Sequence, residues 1–241
     1  MKKLLEGLFL LSSIVTFSDE LIIKGGLDVF NDYNGMSGYI EGGVGDNSLG
    51  YELSVEYLKS INTNFSLGVG IGYQGHASAE GKNEYLYSYY NAYGNYVERT
   101  RGYDDQVYYN SIPIYLTAKY QFETKNRNIK PYIKANIGYS FNLNDDDLTY
   151  SDRDTEYVYD WYDDDYDEYV YNRYSVSYDT DVKDGLYFGI GGGVEISNFV
   201  IDLMYQGNLA DAEITDLNGD VHKESLDLYR LTLNFGYAFQ F

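Results

Sequence analysis

The sequence predicts an all-β fold, an eight-stranded antiparallel up-and-down transmembrane β-barrel. Three observations carry this prediction: apolar and polar residues alternate in eight segments, short and long connections alternate between those segments, and the polar face is rich in glycine and charge. The composition agrees, because 31 Tyr, 11 Phe and 25 Gly accompany only two Pro, a bias that favours strands.

Residues 1–18 have the pattern of an export signal peptide, so residues 19–241 are expected to form the barrel domain. Two lysines follow the first residue, an apolar stretch comes next, and the small residues Thr16 and Ser18 flank a cleavage site. An N-terminal core segment is the alternative. No other stretch reaches the roughly 20 apolar residues of a membrane-spanning helix, so a mature protein that enters a membrane does so with strands.

The strand at the end of the sequence shows the alternation most clearly. Every odd position from 229 to 241 is apolar, and the even positions between them are polar or small. A period of two is the pattern of a strand with one apolar and one polar face, whereas a helix would scatter the rings around its circumference.

The same alternation predicts seven further strands, and most reach the roughly 9 to 11 residues that a tilted transmembrane strand needs. Their apolar faces lie at 21–29, 51–57, 65–73, 112–122, 133–141, 188–196 and 199–205. The segment 38–43, GYIEGG, could add a short extension to the first strand.

The connections between the strands alternate in length. Three are short, near residues 62–64, 123–130 and 197–198, and four are long, near residues 30–50, 75–107, 142–185 and 206–228. A meander whose two ends face different compartments shows this pattern, with short periplasmic turns and long extracellular loops.

The polar face decides which side chains point inward, since a soluble barrel with an apolar interior alternates too. Gly68, Gly70 and Gly72 occupy the polar face of one strand, and Gly189, Gly191 and Gly193 that of another. Glycine weakens strands, so its repeated use indicates the crowded bore of a narrow barrel and not a water-facing surface.

Charged residues of the eight strands also lie on the polar face, and none lies on the apolar face. A charge at the lipid midplane costs roughly 2 to 4 kcal/mol, which explains the exclusion. Four bases and five acids would form a paired network that plugs the narrow lumen, because unpaired buried charges are costly. These nine residues are Lys24, Asp28, Glu52, Glu56, Lys119, Lys134, Glu195, Asp202 and Arg230.

On these residues the chain resembles the eight-stranded outer-membrane barrels of bacteria, the family that includes the OmpA transmembrane domain, OmpX and the opacity adhesins. The resemblance covers residues 19–241. Its most specific part looks like the family's assembly signal, which here would be Asn234, Gly236, Phe239 and Phe241. The alternative is that these rings are plain lipid-facing aromatics, which would explain the rings but not the glycine. The resemblance implies an outer-membrane location with extracellular loops, contact with outer-membrane lipid and lipopolysaccharide, and recognition of the last strand by the barrel-assembly machinery.

The third long loop is strongly acidic and aromatic. Residues 142–185 contain 15 Asp or Glu and nine Tyr, and they predict a protruding hairpin that turns near residues 163–167. Tyrosine-rich surfaces are efficient in recognition, although the rings could also form a plain strand surface that the acids keep soluble. The candidate extracellular binding residues are Tyr157, Tyr159, Trp161, Tyr169 and Tyr171.

Other site types have little support. The aspartates at 145–147 and 163–165 could attract a diffuse cation atmosphere, but consecutive strand residues point to opposite faces, so no metal site is expected. No cofactor is expected either. The net charge of -21 argues against nucleic-acid binding, and a monomer is expected.

The leading functional hypothesis is adhesion, or binding of a host or extracellular ligand, through the long loops, together with a structural role in the envelope. A narrow porin-like solute channel is the alternative. A lipid A-modifying enzyme is a third hypothesis, because His76 and Ser78 superficially match the His-x-Ser pair of lipid A deacylases. His76 has inward parity, however, so no catalytic residue and no enzyme activity are expected.

Overall fold

The computed structural model describes residues 19–44, 49–103, 108–126, 128–143, 147–160, 162 and 165–241. Fifteen strands lie in this part of the chain. They are β1 (Asp19–Gly35), β2 (Ile40–Val44), β3 (Tyr51–Ser60), β4 (Phe65–Gly75), β5 (Ala79–Gly81), β6 (Asn83–Tyr90), β7 (Tyr96–Tyr103), β8 (Asn110–Gln121), β9 (Ile129–Leu143), β10 (Leu148–Asp160), β11 (Asp165–Val182), β12 (Gly185–Ile196), β13 (Phe199–Leu209), β14 (Asp211–Thr215) and β15 (Val221–Gln240). Within these ranges, no helix has the length and apolar character needed to cross a membrane.

Eight of these strands close into an antiparallel barrel, which confirms the predicted fold class. Their order around the barrel is β1, β3, β4, β8, β9, β12, β13 and β15, and β15 pairs again with β1. Each of the eight predicted strands corresponds to one barrel strand. At the closing seam Leu21 lies opposite Phe239 and Lys24 lies opposite Gly236.

Apolar side chains cover the outside of the barrel. In β8, Ile114 and Leu116 are 49% and 63% exposed, whereas their neighbours Tyr115 and Thr117 are buried, because successive strand residues point to opposite faces. Aliphatic residues occupy the middle of this outer surface and aromatic rings its two ends, as on barrels that face lipid. The rings include Phe65, Tyr120, Phe122, Phe199, Tyr237 and Phe239 near the short turns, and Tyr51, Tyr73, Tyr139, Phe141, Tyr205 and Tyr229 near the long loops.

The three short connections lie together at one end of the barrel. Asn62 shapes the first, because its side-chain oxygen accepts hydrogen bonds from the backbone amides of Asn64 and Phe65. Ser197 shapes the third by adopting a φ of 58°, and its amide donates to the carbonyl of Asn128 in the second.

The long connections build a second sheet at the other end. We call the strands β14, β11, β10, β7 and β6 the outer sheet; they pair in this order and continue from the first half of β15. The predicted loop-three hairpin exists as β10 and β11, and Asp160 pairs with Asp165 at its tip. Residues 165–167, which the prediction placed in the turn, belong to β11.

Two features of the long loops were not predicted from the sequence. Residues 83–103, within the second long connection, form the hairpin β6–β7, which pairs with β10. Its turn is stabilised by Asn91, whose side chain accepts hydrogen bonds from two backbone amides, and by Gly94 at a φ of 85°. The GYIEGG segment contributes to β2, which pairs with β5 in a separate two-stranded sheet and does not extend β1.

A hydrophobic cluster lies where the barrel meets the long loops. It brings β1 and β15 together with residues from the loop strands, so apolar packing covers this end of the polar lumen. Its fully buried members include Tyr33, Met36, Ile40, Tyr109, Leu148, Ala212, Ile214, Leu226 and Leu228.

Candidate functional site

The barrel interior contains all nine charged residues that the alternation placed there. Each is at most 7% exposed: Lys24, Asp28, Glu52, Glu56, Lys119, Lys134, Glu195, Asp202 and Arg230. They pair across the bore at three levels. Glycines that line the bore leave room for the large side chains that point into it. At Gly70, for example, an added Cβ would lie 2.4 Å from the ring of Tyr115.

A neutral quartet of two lysines and two carboxylates fills the middle level. Lys24 Nζ lies 3.1 Å from Glu56 and 3.2 Å from Asp202. Lys134 Nζ lies 2.9 and 3.4 Å from the same two carboxylates. The hydroxyls of Tyr115 and Tyr132 donate to Glu56 and Asp202, which gives both carboxylates further hydrogen bonds. Buried charges that are paired and hydrogen-bonded in this way avoid most of the cost of desolvation.

The level nearest the short turns contains two further charges, which lie just outside the predicted strands. Lys119 pairs with Glu20 at 3.0 Å and with Glu195 at 3.2 Å, and Lys130 also pairs with Glu195 at 3.2 Å. Glu20 and Lys130 continue the even parity of Lys24 and Lys134 just beyond the predicted strands. Extending those strands by one to three residues would have found them.

The third level lies toward the long loops and is organised by Arg230. Its guanidinium pairs with Glu52 and with Asp28 and donates to Gln206 at 3.0 Å. Thr232 donates to Asp28 at 2.7 Å. The lumen is therefore occupied by cross-bonded side chains from end to end, as expected of a plugged barrel.

His76 lies beyond this level and faces the interior. Its Nε2 is 2.8 Å from Ser111 Oγ and 3.1 Å from Asn208 Nδ2, and all three residues are buried. The His-x-Ser pattern at positions 76 and 78 therefore does not present its histidine to lipid.

The outer sheet has one face held together by ion pairs, which we call the ion-pair face. Asp154 binds Arg99 at 2.6 Å and also pairs with Arg173, and Arg101 binds Asp152 at 2.8 Å. The hydrogen bonds from Arg99, followed by those from Arg173, lower the pKa of Asp154 from its ordinary 3.8 to about 2. These bonds tie β7, β10 and β11 together.

The opposite face, which we call the tyrosine face, carries a row of aromatic rings across neighbouring strands. Tyr90, Tyr96 and Tyr157 are direct cross-strand neighbours, and Glu168 continues the row on β11. The ring centroids are 5.6 Å apart between Tyr90 and Tyr96 and 5.9 Å apart between Tyr96 and Tyr157. Glu98 accepts hydrogen bonds from Tyr96 Oη at 3.1 Å and Tyr157 Oη at 3.4 Å.

The structure divides the candidate binding tyrosines between these two faces. Tyr157 and Tyr159 have the parity of the tyrosine face, whereas Tyr169 lies opposite Glu156 and Tyr171 opposite Asp154 on the ion-pair face. Trp161 lies outside the described residues. Tyr90, Tyr96 and Tyr166 were not among the candidates. Tyr90 and Tyr96 lie beside Tyr157 only because the second long loop pairs with the third, and Tyr166 lies opposite Tyr159 on β11.

The four residues of the assembly-signal pattern occupy the strand that closes the barrel. Asn234 donates to Asp202 at 2.8 Å inside the lumen, and Gly236 leaves space for Lys24, whose Cγ would be 2.6 Å from an added Cβ. Phe239 and Phe241 lie on the exposed apolar side. Recognition of these residues by an assembly machinery stays a prediction.

The acidic loops show no preformed metal site within the described ranges. No group of three or more His, Asp or Glu side chains there is arranged to hold a metal ion. Most of the aspartates considered for cation binding, at positions 145, 146, 163 and 164, lie outside the described residues.

Comparison with known sequences gives limited information. No protein-family model matches the chain. An uncharacterized protein of Pasteurella multocida is 30% identical over 102 residues, which represent 40% of this chain and 37% of that protein. The chain thus spans little more than a third of the length of the curated relative it matches.

Several solved structures have similar shapes at low sequence identity. Neisserial surface protein A is 12% identical with a TM-score of 0.42, covering 93% of this chain and 100% of that one. Outer membrane protein OprG from Pseudomonas aeruginosa is 12% identical with a TM-score of 0.46, covering 92% and 96%. The outer membrane protease OmpT from Escherichia coli is 11% identical with a TM-score of 0.40, covering 95% and 99%.

The geometry of this chain carries the structural conclusion by itself. Eight antiparallel strands close on themselves, an apolar belt with aromatic ends faces outward, and paired charges fill the interior. Such an apolar outer surface requires surrounding hydrocarbon. In a closed barrel the backbone N–H and C=O groups at both edges of every strand are hydrogen-bonded to a neighbouring strand, so none is left unpaired in lipid. The fold is that of an eight-stranded outer-membrane β-barrel.

Proposed function

We propose that the protein is a bacterial outer-membrane surface protein that binds an extracellular or host component through its outer sheet. The observation that carries this proposal is the pairing of three long loops into one continuous sheet that displays tyrosines on both faces. Because the loops are already ordered by this pairing, a partner would not have to order them on binding. Tyrosine also offers a large amphipathic contact at low entropic cost.

The proposed orientation places the outer sheet outside the cell. Its support is the grouping of all three short turns at the opposite end, since outer-membrane barrels have short periplasmic turns and long extracellular loops. The apolar belt would contact outer-membrane lipid and lipopolysaccharide, and the cross-bonded barrel would contribute to envelope integrity as a monomer. The barrel-assembly machinery would be a transient partner of β15.

Deletion of residues 150–178 tests this proposal, because it removes most of β10 and β11 from the middle of the outer sheet. A difference in gel mobility between unboiled and boiled samples in detergent would show that the barrel still folds. We expect such cells to lose binding to host cells or matrix proteins. Cells with alanine at the exposed turn residues Leu217 and Asn218 should bind normally, and retained binding by the deletion variant would refute the proposal.

A narrow solute channel is the second candidate, because a polar recess of about 170 Å³ opens at the short-turn end beside Lys119 and Glu195. The quartet of Lys24, Lys134, Glu56 and Asp202 lies directly in the path beyond it. Planar-bilayer recordings should therefore show no stable current. A large, stable conductance would replace the surface-binding proposal with a transport function.

Catalysis is not part of the proposed function. His76 and Ser111 are within hydrogen-bonding distance but fully buried beneath the hydrophobic cluster, where no lipid substrate reaches them. We expect the variant His76→Ala to leave lipid A composition unchanged. An altered lipid A profile would assign a lipid-modifying activity instead.

A further inference from the structure

A groove at the tip of the outer sheet combines aromatic rings with carboxylates. We call it the aromatic groove. It has a volume of about 590 Å³ and is lined by Tyr90, Tyr96, Tyr157, Asp165, Tyr166 and Glu168. Tyr90 is 73% exposed and Tyr166 is 60% exposed, so the groove opens directly to solvent.

We propose that the aromatic groove binds a basic peptide segment of an extracellular protein by holding its arginine side chains over the tyrosine rings. This inference rests on the proposed surface-binding function and names the chemistry of its partner.

The spacing of the rings suits more than one cationic side chain. The row of Tyr90, Tyr96 and Tyr157 crosses three strands, and neighbouring strands lie about 4.8 Å apart, so the row extends over roughly 10 Å. A cation is attracted to the face of an aromatic ring within about 6 Å of its centre. Two basic residues at alternate positions of an extended peptide, whose side chains share one side and lie about 6.6 Å apart, could therefore each meet a ring.

Carboxylates around the rings strengthen the attraction for cations. Asp165 and Glu168 line the groove, and Glu98 accepts hydrogen bonds from the hydroxyls of Tyr96 and Tyr157. A phenol that donates to a carboxylate becomes more electron-rich, which favours a cation over its ring. Burial first, and then the charge of Glu98, raises the pKa of Tyr157, so its hydroxyl remains a donor.

No lysine or arginine lines the groove among the residues that the structure describes. Arg153 has the parity of the tyrosine face, but it pairs with Thr100 and its guanidinium lies 3.3 Å from the position of a Cβ on Gly102, farther along β7 from the groove residue Tyr96. Arg99, Arg101 and Arg173 lie on the ion-pair face, where they bind Asp152 and Asp154. A basic partner therefore meets charges that the outer sheet leaves available, whereas an anionic partner would be repelled.

Arginine fits this groove better than lysine does. Its guanidinium is planar, stacks on aromatic faces and is less strongly hydrated than an ammonium group, and it bonds carboxylates with two parallel hydrogen bonds. An extended peptide with arginines at alternate positions would use the rings and the carboxylates of the groove together.

Binding of a fluorescein-labelled hexa-arginine peptide to the full chain in uncharged detergent tests the proposal by fluorescence anisotropy at physiological salt. The variant Tyr157→Leu retains every charge, and we expect its affinity to fall about tenfold or more. Tyr174→Leu, which removes a 45% exposed ring opposite Asp152 on the ion-pair face of the same sheet, should bind within twofold of the original chain. Gel mobility before and after boiling should show that both variants fold.

A second pair of variants distinguishes binding at the groove from non-specific attraction of the peptide by the net negative charge of the protein. Glu168→Gln removes a charge inside the groove, and Asp179→Asn removes an exposed charge from the same strand. We expect only Glu168→Gln to weaken hexa-arginine binding severalfold. Equal losses in the two variants, or full affinity in Tyr157→Leu, would overturn the proposal in favour of diffuse charge attraction.

Competition decides between a peptide and a small cation. Choline that displaces hexa-arginine at micromolar concentration would overturn the peptide proposal, whereas hexa-arginine that persists in millimolar choline would support it. The surface-binding function is tested separately by deletion of residues 150–178. Loss of cell binding in that deletion, with no binding of hexa-arginine to the complete chain, would refute the groove proposal alone.

Discussion

Lys134 donates hydrogen bonds to both carboxylate oxygens of Glu56, at 2.9 and 3.2 Å, across the middle of the barrel. The two residues lie on β9 and β3, which are not neighbours in the sheet. Both side chains are at most 1% exposed. The pair therefore braces the barrel across its bore, in addition to the hydrogen bonds between adjacent strands.

Removal of this lysine should destabilise the barrel. The variant Lys134→Met leaves Glu56 and Asp202 with Lys24 as their shared base, and loss of one partner from a buried ionic network costs about 3 to 5 kcal/mol. The free energy of urea-induced unfolding in lipid vesicles measures the effect. Lys130→Met, at the partly exposed mouth of the barrel, should cost at most about 1 kcal/mol. Similar losses in both variants would contradict a central brace.

Two glycines on one strand should respond differently to the same substitution. A Cβ at Gly70 would lie 2.4 Å from the buried Tyr115 ring, so Gly70→Ala should destabilise the barrel by about 1 to 3 kcal/mol through overpacking. The nearest atoms to a Cβ at Gly72 are 3.4 Å away, so Gly72→Ala should be neutral or slightly stabilising. Urea unfolding of both variants measures the difference, and equal stabilities would show that the lumen is less crowded than the structure indicates.

The outer sheet should depend on pH through Asp154. Its arginine partners lower its pKa to about 2, so its contribution to stability is complete above its ordinary pKa of 3.8 and is lost as the pH falls through about 2. The difference in thermal unfolding midpoint between the original chain and Asp154→Asn should be constant above about pH 4 and should vanish near pH 2. Asp179→Asn serves as the control with no such dependence. A difference that disappears already at pH 5 would contradict the assignment.

The assembly-signal hypothesis predicts that stability and assembly respond differently to substitution. Phe241→Ser and Phe122→Ser both remove an exposed ring at the short-turn end, so refolding from urea into lipid vesicles should show comparable, modest losses of stability. In cells, only Phe241→Ser should reduce the amount of folded barrel severalfold, as measured by gel mobility of outer-membrane extracts. Equal cellular levels of the two variants would indicate that the terminal rings serve only as lipid contacts.

The barrel could be predicted from the sequence because lipid imposes a strict rule on one face of each strand. In β8 and β13, for example, every second residue must be apolar, and this period is visible without any knowledge of the partner strands. The same alternation also predicted which charged residues point into the lumen. Glu20 and Lys130 were missed because they lie just outside the predicted strand ends, where the apolar alternation no longer marks the strand.

The outer sheet was harder to predict, since water can contact both of its faces and no parity rule operates. Tyr85 and Tyr87 of β6 are both exposed, and the alternation that identified the barrel strands does not distinguish the two faces of this strand. The row of Tyr90, Tyr96 and Tyr157 depends on the pairing of β7 with β10, across more than 60 residues of sequence. Local sequence patterns carry no information on such pairings.

The whole account depends on the orientation of the barrel wall, with hydrocarbon outside and the charged groups facing one another inside. Transfer of NMR magnetisation from lipid acyl chains to protein methyl groups in lipid nanodiscs tests this orientation without any substitution. The methyl groups of Val55 and Leu203 should receive strong transfer, and those of Leu58 and Val200, on the same two strands but buried inside, should receive little. Strong transfer to Leu58 and Val200 with none to Val55 and Leu203 would contradict this orientation of the barrel.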